Sequence, residues 1–242
     1  MSLDHQFSAL IHGPSKAGKS SLSFTAPFPL VTADAEGSTK FIRTAGFKSA
    51  VPARKIFWDP VREKAPVHDG TWDVAVVKVP DWMTLKTFRD RLKLEPHPFR
   101  SVSLDSVTEI QRKCKASFER RMSMQQQDWG VLLAEMDDMI RGLRDLTLVA
   151  DNTLQVAIFI SETVMKDGKW RPNMQGAVAT SMPYWVDVCG YLSQRELTDG
   201  TTQTELLVSN HPQFEAGERV QGVLPKVIAN ANINDIIHHI YS

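Results

Sequence analysis

The chain of 242 residues has only two cysteines, Cys114 and Cys189. They have no metal-ligand spacing, and so small a thiol count fits a reduced, intracellular protein. No run of about eighteen apolar residues occurs, which argues against a membrane-spanning helix. The opening MSLDHQFSAL lacks a basic region followed by an apolar core, so no secretory signal is expected and a cytoplasmic location is. Net charge is also missing, because 28 Lys and Arg balance 28 Asp and Glu. That argues against a strongly basic coat for nucleic acid but is compatible with a local basic groove. Internal repeats and low-complexity tracts are absent. One α/β domain over 1–242 fits this length better than two.

Against these absences stands one dense signal, IHGPSKAGKS at residues 11–20. From Gly13 to Ser20 it matches the G-x-x-x-x-G-K-S spacing of a phosphate-binding loop. Gly13 and Gly18 allow a tight turn whose N–H groups point inward, and the start of the next helix adds donors. Lys19 can reach the β- and γ-phosphates of ATP, and Ser20 can ligate Mg2+. Gly13, Pro14, Ser15, Lys16, Ala17, Gly18, Lys19, Ser20 and Ser21 are the expected nucleotide-binding set. An apolar strand over 7–11 precedes the loop, and a helix opening at Lys19 follows it, stopped by Pro27 and Pro29.

Two acidic strand ends follow. The β-prone run 30–33 leads into Asp34-Ala35-Glu36-Gly37. In a parallel sheet such an end faces the ligand side, where Glu36 can orient and deprotonate water or else serve as a turn or capping carboxylate. Val102 and Leu104 mark a strand that ends in Asp105, before a helical stretch from Val107 to Phe118. Asp105 is a candidate for holding Mg2+ together with Ser20, its alternative being a helix cap. A third, almost continuously apolar strand over 154–160 ends in Ser161-Glu162-Thr163. Ser161 or Glu162 there can sense the γ-phosphate or position water, or Glu162 can be a solvated loop carboxylate. Apolar spacing predicts helices over 128–148 and 82–92 and near Ile233, Ile236, Ile237 and Ile240. Strands are expected over 184–192 and 204–209, around the turn at Asp199-Gly200.

These elements as a set resemble the RecA-like ATPase core. GPSKAGKS is similar to its Walker A, VTADAEGSTKFIRTAGF to the block whose strand ends in a catalytic glutamate, and SVSLDSVTEIQ to Walker B. LQVAIFISETV resembles the nucleotide-sensing strand, with Glu162 at or near the position of the family's usual glutamine. The resemblance covers about 5–225, leaving a short helical tail over 226–242, and implies a three-layer α/β P-loop NTPase of RecA-like type with a mainly parallel sheet. It assigns Glu36 as catalytic base, Lys19 and Glu162 to catalysis, and Ser20 and Asp105 to Mg2+. It is nearest to phage-encoded, core-only members, several of them similar to ATP-dependent single-strand annealing proteins, which implies a bacterial host. ATP sites in this class form between subunits, so a homo-oligomeric ring or filament is expected, with Arg219 or Lys226 as candidates for a trans-acting cation.

Two polar segments lie where this superfamily presents loops to DNA. The first, 113–127, offers Lys115, Arg120 and Arg121 to phosphates and Gln125 to Gln127 for hydrogen bonding, or is a solvated helix end and linker. The second, 164–176, sets Lys166, Lys169 and Arg171 around Trp170, and is either a strand-binding loop with a stacking indole or a β-hairpin with a packed tryptophan. The resulting expectation is a Mg2+-dependent, DNA-stimulated ATPase that binds single-stranded DNA and promotes annealing or recombination, with a single-strand DNA-binding protein as a possible partner and no membrane. The alternatives are a helicase-loader or accessory ATPase, a nucleotide-binding module with little turnover, and a P-loop kinase, for which no acceptor pocket or lid is identifiable.

Overall fold

The computed structural model describes residues 6–42, 53–119 and 125–242. The chain runs through β1 (Phe7–Gly13), α1 (Lys19–Ser23), β2 (Leu30–Asp34), β3 (Lys55–Phe57), β4 (Val74–Lys78) and α2 (Trp82–Leu94). It continues through β5 (Ser101–Asp105), α3 (Val107–Glu119), α4 (Gln126–Asp145), β6 (Val156–Lys166), β7 (Lys169–Pro172) and α5 (Ala177–Trp185). It closes with β8 (Val188–Glu196), β9 (Thr202–Leu207), β10 (Gly217–Glu218), β11 (Val227–Ala229) and α6 (Ile233–Tyr241).

Strands β3, β4, β2, β5, β6, β1 and β8 lie side by side in that order, every neighbouring pair parallel. Strands β9 and β11 extend the sheet antiparallel beyond β8, β10 pairs antiparallel with β8, and β7 folds back on β6. The central strands are apolar on both faces because helices cover both. Leu10, Val31, Leu104 and Phe159 join the core under α2, α3, α4 and α5, while Ile11, Ile158 and Ile160 pack with Leu22 of α1 and with Ile233, Ile236 and Ile237 of α6. The glycine-loop strand β1 is separated from the Asp105 strand β5 by β6 alone. This is a three-layer α/β fold with a mainly parallel central sheet, as expected.

Several segments differ from the expectation. The tail expected to be helical over 226–242 first adds β11 to the sheet beside β9, and only then forms α6, which packs on the core. Tyr184 stands in α5, a helix the sequence conceals because Pro183 falls inside it, and the following strand starts at Val188. The apolar strand expected over 154–160 continues as β6 to Lys166, beyond the body of the sheet, and its extension pairs with β7. Phe159 is fully buried at the centre of the larger core. Phe159→Ala should lose about 3–5 kcal/mol of stability, measured by urea unfolding at equilibrium.

Candidate nucleotide-binding site

Parallel register gathers the polar strand ends at one edge. Gly13 lies beside Glu162, Asp105 beside Ile160, and Asp34 beside Asp105. In the glycine loop, a Cβ on Gly13 would stand 2.1 Å from the Leu192 carbonyl oxygen, so β8 leaves no room for a side chain. Gly18 turns into α1 with φ +98°, a left-handed conformation that favours glycine. Pro14, Ser15 and Lys16 form an exposed crest, Ala17 is buried, and Ser21 is half-buried in α1. The Lys19 ammonium donates to the carbonyls of Gly13 at 2.9 Å and Pro14 at 2.7 Å, closing across the loop. Burial lowers the Lys19 pKa, and the carboxylates of Asp105, Glu36 and Glu162 oppose that shift.

Asp105 is buried at the end of β5 and accepts hydrogen bonds from Ser20 Oγ at 2.5 Å and Ser38 Oγ at 2.9 Å. The two hydroxyls are 3.3 Å apart. Burial pushes the Asp105 carboxyl up to about 6, with Ser20 and Ser38 opposing and Glu36 and Asp34 adding to the rise. Asp34 organises the neighbouring loop: its carboxylate accepts from the backbone N–H groups of Glu36, Gly37, Ser38 and Thr39 and from the Thr39 hydroxyl. That turn leaves Glu36 exposed, its carboxylate accepting a hydrogen bond from Ser106 Oγ, and turns Ser38 towards Asp105.

The residues fit a magnesium–nucleotide. Ser20, Ser38 and Asp105 present three mutually contacting oxygens, the hard donors that Mg2+ takes, and the glycine loop bears Lys19 beside them. Carboxylates of Asp105, Glu36 and Glu162 surround the one loop lysine that faces inward, so a polyanion enters this edge most favourably with a cation.

On the sensing strand, Ser161 is buried and its hydroxyl donates to the Glu162 carbonyl and meets Thr108 Oγ1, so it is turned into the fold. Glu162 stands at the rim and is held by Arg112 of α3 in a two-pronged pair at 3.0 and 2.9 Å, and by Asn173 Nδ2 at 2.9 Å. The Arg112 guanidinium is the main cause of the lowered Glu162 pKa.

The DNA candidates are dispersed. Arg120 and Arg121 lie outside the described residues. Lys115 sits about 12 Å along α3 from Val107, paired with Glu119 at 3.5 Å and lying 5.1 Å over the Trp129 ring. The segment 164–176 opens as the β6–β7 hairpin, not as an open loop, with Lys166 exposed beside its turn. Lys169 and Arg171 face Glu215 at 3.3 and 4.0 Å, and half-buried Trp170 is stitched by backbone bonds to Gln213 and Glu215. The carboxylate that captures both cations comes from more than forty residues later in the chain, out of reach of local pattern. Arg219 donates to the Tyr184 carbonyl and pairs with Asp187 at 3.7 Å. Asp187 bonds Ser8, about 16 Å down β1 from Gly13, so Arg219 does not reach the glycine loop of its own chain. Ser38, Ser106, Arg112 and Asn173 are site neighbours that the sequence reading missed.

A family model described as an AAA domain matches residues 5–220. No curated protein matches the chain. Among solved structures, the flagellar accessory protein FlaH from Methanocaldococcus jannaschii is similar at 10% identity with a TM-score of 0.47, over 92% of this chain and 84% of that one.

The raised Asp105 pKa has a consequence for the nucleotide-free protein. The folded carboxyl binds a proton more tightly than the unfolded one, so this group's contribution is most favourable below pH 4 and is lost as pH rises through about 6. Asp105→Asn removes that loss: at pH 8 the nucleotide-free variant should match or exceed wild type by up to about 3 kcal/mol, with a flatter stability profile between pH 4 and 6, read by urea unfolding across pH.

Proposed function

The chain belongs to the AAA domain family, and from that premise we propose that it is a Mg2+-dependent ATPase that acts on single-stranded DNA in strand annealing or recombination. The observation that carries the ATPase part of this reading is the convergence of Lys19, Ser20, Asp105 and Glu36 on one sheet edge. Lys19 binds the β- and γ-phosphates, while Ser20 and Asp105 hold the metal. A metal held by these two residues would neutralise phosphate charge. Of the three acids around Lys19, Glu36 is exposed yet held, through Ser106 and the Asp34 turn, which suits orienting and deprotonating an attacking water.

The DNA part of the proposal is supported by the β6–β7 hairpin. It projects from the sheet edge that carries the glycine loop, and it bears Lys166 with exposed Val164 and Met165. Such a projection can follow a backbone by charge and a base by apolar contact. An oligomer, ring or filament, would let Arg219 serve a neighbouring copy's site, since in its own chain it is at the far end of β1. A second reading, an accessory or helicase-loading ATPase, is favoured by the Glu215 pairs with Lys169 and Arg171, which reduce the free positive charge on the hairpin.

The deciding experiment is steady-state ATP hydrolysis with and without single-stranded DNA, with Glu36→Gln as control. The proposal expects DNA to raise turnover, with a marked salt dependence, and Glu36→Gln to lower it by roughly 10²–10⁴-fold while ATP still binds. Hydrolysis that ignores DNA, together with no DNA binding, would favour the accessory reading; hydrolysis unchanged in Glu36→Gln would remove the base assignment.

A further inference from the structure

Glu162 stands against the first glycine of the phosphate loop, its backbone in register with Gly13, and its carboxylate interacts electrostatically with the Lys19 ammonium. A bare carboxylate there repels the terminal phosphate of a bound triphosphate, the group that Lys19 would hold. The chain supplies a specific answer from another element. Arg112 reaches from α3 to make both prongs of a planar pair with Glu162, at 3.0 and 2.9 Å. The same guanidinium also donates to the Glu109 carboxylate at 3.1 Å, a second anchor that orients it along the helix. From the β7 side, Asn173 Nδ2 donates to the Glu162 carboxylate at 2.9 Å, and Asn173 N–H donates to the Glu162 main-chain carbonyl at 2.8 Å. The Glu162 N–H donates to Thr108 Oγ1 at 3.1 Å, so α3 holds both the backbone and the side chain of this residue.

We propose that Arg112 is a positioning residue that neutralises Glu162 beside the phosphate loop and thereby sets the preference of the site for a nucleoside triphosphate over a diphosphate. The inference rests on the nucleotide-binding reading above. It acts on the triphosphate selectively, because the terminal phosphate adds the charge that an uncovered Glu162 would repel. A bidentate arginine suits the task better than a point charge, since it covers both carboxylate oxygens at once.

The test is a double-mutant cycle read by calorimetric titration of the Mg2+-loaded protein with a hydrolysis-resistant ATP analogue and, separately, with ADP. Arg112→Ala should weaken the ATP analogue by about five- to tenfold and ADP by less than about twofold. Adding Glu162→Gln to Arg112→Ala should restore the wild-type ratio between the two ligands, since it removes the charge that Arg112 covers. Arg112→Lys, which keeps the charge, should hold the ratio closer to wild type than alanine does. Equal loss for both ligands, no loss for either, or a double variant as poor as Arg112→Ala would overturn the proposal. Failure of the underlying reading looks different: wild type itself would then bind neither ligand.

Discussion

The buried carboxylate of Asp105 is the constraint around which the site is arranged. It ends β5, accepts the Ser20 hydroxyl from the helix after the glycine loop, and accepts the Ser38 hydroxyl from the loop after β2. Three segments distant in sequence are thus tied to one oxygen-bearing group. Burial, with the Glu36 and Asp34 charges nearby, disfavours its ionised form, and two neutral hydroxyls offset only part of that penalty. A divalent cation at the same oxygens would complete the compensation, so ligand binding and the electrostatics of the fold are coupled at this residue.

Charge is the second organising feature. The chain as a whole is neutral, yet the ligand edge sets Asp105, Glu36 and Glu162 around Lys19. Each acid is handled differently: Asp105 by burial against hydroxyls, Glu36 by exposure and one hydroxyl donor, and Glu162 by Arg112. His12, one residue before Gly13, adds a structural tie of its own. Its ring nitrogens meet Thr163 Oγ1 at 3.2 Å and the Glu215 carbonyl at 2.6 Å, and burial drives its pKa down to about 4, leaving it neutral near pH 7. The glycine-loop strand, the base of the β6–β7 hairpin and the segment that carries Glu215 are therefore bonded through one side chain.

The parts of this arrangement legible in the sequence are those encoded by local spacing. The glycine loop declares itself over eight residues, and Asp105 is marked by an apolar strand on one side and a helical period on the other. The succession of strand, loop and helix along the chain followed from the same motifs, whereas the order of strands within the sheet did not. What stayed hidden depends on encounters across the chain. Of the acidic pair after β2, Asp34 turns in and Glu36 out because the backbone N–H groups of 36–39 converge on Asp34, which composition cannot reveal. Arg112 looks like one more cation on a charged helix until β6 brings Glu162 to it, fifty positions away. Lys169 and Arg171 read as free charges because Glu215 arrives only through the fold.

The central claim is a single cation-assisted nucleotide site in which Lys19 holds phosphate next to the Ser20–Asp105 oxygens. It is tested most directly by titrating ATP into the folded protein with Mg2+ present and with Mg2+ chelated, in wild type and in Lys19→Ala. The account predicts that wild type binds more tightly when Mg2+ is present and that Lys19→Ala loses at least about tenfold of that affinity without losing its fold. Equal affinity in a folded Lys19→Ala variant, or ATP binding indifferent to Mg2+, would contradict it.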